Sequence, residues 1–240
     1  MIPFISSPME QYEIYSIFGF HFEINQIVFY LFISTFLIIS MNYALTDQLI
    51  SNHWNLLIES FYRTILVLVE NYLGYANIKF FPLIFTLFHL ILFSNFLGLI
   101  PYSSTSTVEF AITLTISFTL LIGILILGFL HHQFYLFAVF IPAGTPLGLI
   151  PFMIFLEVIA YFTRLLSLGL RLSVNMITGH ILTKVCINFI WLGYINGTSF
   201  LILILPLALL TLFLSLEILI AYLQAYIFTF ITCITFRDLI

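Results

Sequence analysis

Between Phe152 and Trp191 the chain runs for 40 residues without a proline, and most of those residues are apolar. Wound as one α-helix at 1.5 Å per residue, the run is about 60 Å long. The hydrocarbon core of a bilayer is only ~30 Å thick. The run therefore either breaks once or lies steeply tilted. Ordinary hydrophobic mismatch gives tilts of roughly 0–40°, so a steeper helix needs protein along its side. A second long apolar run spans Phe200 to Phe236, with Pro206 as a candidate kink. The turn signal "GYINGTS" (Gly193–Ser199) separates the two. Such runs belong in a membrane. The chain is 62% hydrophobic and 7% charged, whereas soluble domains carry about 25% charged residues. Strands of a membrane barrel would be about 10 residues long with apolar and polar residues alternating, and that alternation is missing. The fold class is an all-α membrane protein.

The remainder organises around this long hairpin. Residues 1–240 read as a single integral membrane domain with about five membrane-embedded helices and one amphipathic helix lying in the interface. Residues 1–24 form a lead with Glu10, Glu13 and Glu23 but no Lys or Arg, unlike basic signal or transit peptides. A first spanning helix covers 25–45, and Thr46-Asp47 caps the next segment. Residues 49–78 carry Glu59, Arg63 and Glu70 within an apolar pattern of helical spacing, which predicts the amphipathic helix. Spanning segments at 80–100 and 109–130 make a helical hairpin over 80–130, the second ending at His131-His132. The loop "IPAGTPLGLIP" (Ile141–Pro151) then breaks the chain before the long hairpin of 146–238.

Charge inside those last two runs is patterned. Glu157, Arg164, Arg171 and Thr178 recur every seven residues. Seven residues turn a helix through about 700°, so they share one face. Folding the two runs antiparallel about Gly197-Thr198 sets Glu157 opposite Asp238, Arg171 opposite Gln224 and His180 opposite Glu217. Intramembrane ionisable groups are costly and line ion or proton paths. His and Glu can load and unload protons near neutral pH, whereas Arg stays charged. Two titratable levels parted by a permanent cation make two half-paths with a barrier between them. Arg171 has no carboxylate near it in sequence, so its acidic partner is expected on another protein. Other charges are open to plainer readings. His89 can serve as an interhelical hydrogen-bond partner, Lys184, Arg164 and Arg237 can snorkel to head groups, and Asp238 can be a terminal charge. Glu109 can sit at an interface.

"SLGLRLSVNMITGHIL" together with "LEILIAYLQAYIFTFIT" (Leu216–Thr232) resembles subunit a of the F-type ATP synthase membrane sector, in its mitochondrial form. "SNFLGLIPYS" (Ser94–Ser103), "PLGLIPFMIFLEVIAYFTR" (Pro146–Arg164) and "SPMEQYEI" (Ser7–Ile14) extend the likeness over almost the whole chain. The resemblance implies a steeply inclined hairpin against a rotating ring of c subunits. It implies that Arg171 faces the ring carboxylate and separates two half-channels, with Gln224 near it and Asn175 one turn beyond. It implies His180 and Glu217 in the inlet half-channel and Glu157 and Asp238 in the outlet half-channel on the matrix side. Further expectations are a mitochondrial inner-membrane location, a non-catalytic role, protons as the transported ion with no cofactor, and contacts with the c-ring, peripheral-stalk subunits, other membrane-sector subunits and lipids. Two positions depart from the family pattern. Ser173 and Val174 replace a bulky-then-small pair, and Glu109 stands where many mitochondrial relatives carry a His. Glu109 is thus a further inlet-side candidate.

Other classes fit less well. No Lys/Arg cluster provides a nucleic-acid footprint. Cys186 and Cys233 lie in apolar segments as small hydrophobes, and no Cys/His spacing marks a metal site. The His residues do not pair across helices as haem ligands would, and the internal repeats of a secondary transporter are missing.

Overall fold

The computed structural model describes residues 26–44, 53–100, 107–133, 141, 145–197 and 200–239. Its described residues form helices and turns and contain no strand. This is the expected all-α class, since a backbone in lipid must satisfy its polar groups internally. In chain order the helices are α1 (Gln26–Ala44), α2 (His53–Leu73), α3 (Phe81–Gly98), α4 (Phe110–His132), α5 (Ile150–Ile195) and α6 (Phe200–Leu239). Four stretches are long and apolar enough to cross a membrane, and α1 adds a shorter apolar helix over Val28–Met41. The expected lead at 1–24 and the Thr46-Asp47 cap lie outside the described residues.

The length puzzle of the first long run resolves as one unbroken helix. α5 spans 46 residues, about 69 Å at 1.5 Å per residue. α6 likewise continues through Pro206 for 40 residues. Between them Gly197 takes a left-handed φ of 64°, which glycine adopts without penalty. It closes the end of α5 through a backbone bond from Gly197 N–H to the Tyr194 carbonyl. At the start of α5, Pro151 occupies the first turn, where its missing N–H costs nothing.

α6 organises the bundle. α5, α3, α2 and α4 all pack on it. Its C-terminal half presents Ala221, Ala225, Phe228, Cys233 and Phe236 as a fully buried stripe. Ala221 and Ala225 carry so little side chain that α3 approaches the α6 backbone closely, a usual device between helices in lipid. Phe80 lies against Phe236 at 5.2 Å and Tyr72 meets Phe230 edge-on at 5.0 Å. The N-terminal half of α6 is bare, with Leu205 70% exposed.

α3 and α4, expected as a hairpin, make little direct contact among the described residues. α3 rests on α6, α1 and α2, and α4 on α5 and α6. α3 packs chiefly on α6 and α4 chiefly on α5, so each finds its main partner in the long hairpin. α2 meets the amphipathic expectation. It buries Ile65, Leu68, Val69 and Leu73 and leaves the Glu59–Arg63 pair, 3.5 Å apart, outside. Buried hydroxyls fold back on their own helices: Thr229, Thr232 and Thr235 each donate to a carbonyl three or four residues earlier.

Phe236→Ala should therefore lower stability by roughly 3 kcal/mol, the usual cost of emptying a filled aromatic site. Phe32→Ala, on an exposed face, should change it by less than about 0.5 kcal/mol. Thermal unfolding in detergent micelles separates the two. Equal effects would contradict the placement of the core on α6.

Candidate functional site

The polar groups of the hairpin fall at three levels along α5 and α6. Nearest the turn, Glu217 is buried on α6, and its Oε1 lies 4.0 Å from His180 Nδ1 on α5. That is beyond hydrogen-bond length, so the two are neighbours and not a bonded pair. Glu217 Oε1 and His180 Nε2 are both buried without a hydrogen-bond partner among the described residues. Room for the carboxylate comes from Gly179, because a Cβ there would stand 2.8 Å from Glu217 Oε1. The expected juxtaposition of His180 with Glu217 is thus present.

At the middle level Arg171 is exposed on α5. Around it Leu170, Val174 and Leu182 are also exposed, at 40%, 43% and 43%. Leu168, Leu172 and Met176, on the other face, are buried. Among the described residues Arg171 enters no ion pair. Gln224 is buried on α6, and no hydrogen bond joins it to Arg171 among the described residues. The expected pairing of these two reduces to a shared level. Asn175 is half-buried one turn beyond Arg171.

At the third level the partner of Asp238 is Arg164, whose Nη1 donates to Asp238 Oδ2 at 3.3 Å. Arg237 Nη2 lies 3.7 Å from the other carboxylate oxygen. Tyr161, buried beside them, hydrogen-bonds the same carboxylate. Two carboxylates repel, and Arg164, two turns from Glu157 along the same face, supplies Asp238 with the opposite sign. Glu157 remains in the electrostatic neighbourhood of Tyr161. Lys79 belongs to this end as well, because its neighbour Phe80 stacks on Phe236.

Glu109 stands apart, immediately before α4 in extended backbone. His89 is fully buried among Phe85, Phe88 and Phe61, with Nδ1 2.9 Å from the Phe85 carbonyl oxygen. Its bond is within α3, not across helices. Sequence reasoning missed Asn95, Gly179 and Tyr161. Asn95 is wholly buried on α3, donates to the Ala221 carbonyl at 3.5 Å and leaves Oδ1 without a partner among the described residues. Ala221 sits between Glu217 and Gln224 on one face of α6. A lone Asn in an apolar run was the available signal. Among the described residues no cluster of three metal-ligating side chains occurs.

Membrane-length helices carrying a buried acid beside a His, an outward-facing arginine and a clustered acid at the far end define a polytopic membrane protein with ionisable groups inside its spans. Comparison with known proteins then gives the family. The profile of the ATP synthase A chain family matches residues 24–236, and the chain belongs to that family. It is 41% identical over 245 residues to ATP synthase subunit a of Trichophyton rubrum, covering 98% of this chain and 96% of that protein. The Chondrus crispus subunit a is 38% identical over 245 residues, with 98% and 96% covered. That of Schizosaccharomyces pombe is 38% identical over 247 residues, with 96% of each covered.

A cysteine pair at His180 and Glu217 should form a disulfide on mild oxidation. Its absence would contradict the juxtaposition. Gly179→Ala with Glu217 intact should lower thermal stability in detergent micelles, because a Cβ would stand 2.8 Å from Glu217 Oε1, and an unchanged unfolding temperature would show that the glycine does not make room for the carboxylate.

Proposed function

We propose that this chain is the stator subunit of a proton-translocating F-type ATP synthase. It forms two offset half-channels against a rotating c-ring and couples proton flow to rotation and ATP synthesis. The observation that carries the reading is Arg171: a permanent cation, exposed on an apolar face and outside every ion pair of the described residues, between two titratable levels. A charge held near mid-membrane needs a counter-charge, and a carboxylate arriving on a moving neighbour supplies it.

A proton enters at the His180–Glu217 level, passes the polar groups Gln224 and Asn175, and neutralises a ring carboxylate. Glu109 is a further inlet-side group. The neutral carboxylate then travels through lipid, where its charged form would be costly. On return it meets the outlet level of Glu157 and Asp238 and gives up its proton. Arg171 favours the ionised carboxylate by simple attraction, so the carboxylate cannot pass it still protonated or leak a proton straight across. Each crossing supplies about 2.3 kcal/mol per 100 mV of membrane potential. The chain makes and breaks no substrate bond and uses no cofactor. Protons are its transported ion.

Lys79, Arg164 and Arg237 gather at the Asp238 end. The positive-inside rule favours that end on the matrix side, in keeping with an outlet there. The corresponding location is the mitochondrial inner membrane, crossed several times. The partners are the c-ring, peripheral-stalk and other membrane-sector subunits, and lipids. Nucleic acid has no part.

Arg171→Ala should abolish ATP-driven proton pumping in membrane vesicles and open a passive leak. A variant that still pumps would overturn the assignment. Glu217→Gln should slow proton uptake on the inlet side at least several-fold, measured as passive flux after removal of the catalytic head. Unchanged flux would take Glu217 out of the path.

A further inference from the structure

Two glycines of α5 sit so close to neighbouring helices that a Cβ would collide, and they flank Arg171 along the helix. Gly179 faces Glu217 on α6. Gly169, two residues before Arg171, faces α4. A Cβ on Gly169 would stand 2.5 Å from Ser117 Oγ and 3.0 Å from the Thr113 carbonyl oxygen, and real Cβ atoms essentially never come within 3.0 Å. The Thr113 oxygen is backbone, so α4 itself must give there by a few tenths of an ångström. Ser117 is 1% exposed, and its hydroxyl already donates back to Thr113 at 2.9 Å and Leu114 at 3.1 Å. α4 presents the small buried residues Thr113 and Ser117 at this level and the larger Leu121 and Ile124 on the next turns.

Direction matters as much as distance. Residues two apart on a helix lie about 200° around its axis. Gly169 therefore points into α4 while Arg171 points out of the bundle. Anything that lifts α5 off α4 at this level moves Arg171 outward by a similar amount.

We propose that Gly169 is a positioning residue for Arg171. Its missing side chain lets α5 seat on the Thr113–Ser117 turn of α4, and that seat fixes how far the guanidinium projects towards the ring carboxylate. The proposal rests on the reading of Arg171 as the separator of two half-paths. Misplacing an interacting group by about 1 Å can cost on the order of 100-fold in rate, so a small displacement at this point has a measurable effect.

The test uses the assembled complex in membrane vesicles, with copurification of the c-ring as the check on assembly. Gly169→Ala should reduce ATP-driven acidification at least several-fold and raise passive proton leak. Adding Ser117→Gly removes the first atom a Cβ would strike and should restore a large part of both. Ser117→Val crowds the same seat from α4 and should reproduce the defect with Gly169 intact. A Gly169→Ala complex that pumps like the parent overturns the proposal, as does a defect that Ser117→Gly leaves untouched. If Gly169→Ala fails to assemble, Ser117→Val decides: lost coupling supports the seat, and parental coupling refutes it. Arg171→Ala runs alongside. Should it pump, the reading of Arg171 and this proposal fall together. Should it fail to pump while the crowding variants are silent, only the role of Gly169 falls.

Discussion

A polar group in hydrocarbon must find a partner or have a use, because lipid offers it nothing. That constraint orders the whole hairpin. Hydroxyls answer it locally, each donating to a carbonyl of its own helix. Asp238 answers it with Arg164, Arg237 and Tyr161. Glu217 and His180 answer it only partly, standing close without bonding. Arg171 is the exception, since it is exposed and enters no ion pair among the described residues. The least satisfied group thus lies between a satisfied level at Asp238 and a partly satisfied one at Glu217.

Glycine and alanine determine where these groups can sit. Ala221 lets Asn95 reach the backbone of α6, and Gly179 leaves a place for the Glu217 carboxylate. Such small residues give nothing chemical themselves. They set interhelical distances at which longer side chains meet. In a medium without a hydrophobic drive between helices, this is where much of the specificity of association is stored.

Much of this was legible in the chain itself. The lengths of the two apolar runs left open a break or one long tilted helix, the family resemblance implied the tilted hairpin, and an antiparallel fold about Gly197-Thr198 placed His180 beside Glu217. The Asp238 level was harder. The register set Glu157 against Asp238, whereas the ion pair there is made by Arg164, two turns along the same face, a choice of charge that counting residues does not capture. α3 and α4, neighbours in sequence, find their main partners elsewhere, α3 on α6 and α4 on α5. Asn95 escaped notice because its importance comes from a contact 126 residues away.

The unbroken course of α5 has one more consequence. Arg164 and His180 are sixteen residues apart on it, roughly 24 Å at 1.5 Å per residue. Two charges at that separation interact by less than about 1 kcal/mol at an effective dielectric of 20. Titration at one end therefore barely disturbs the other. Under the half-channel reading proposed above, each level equilibrates with the water on its own side, and the helix between them serves as a fixed ruler that keeps two pH values from being averaged.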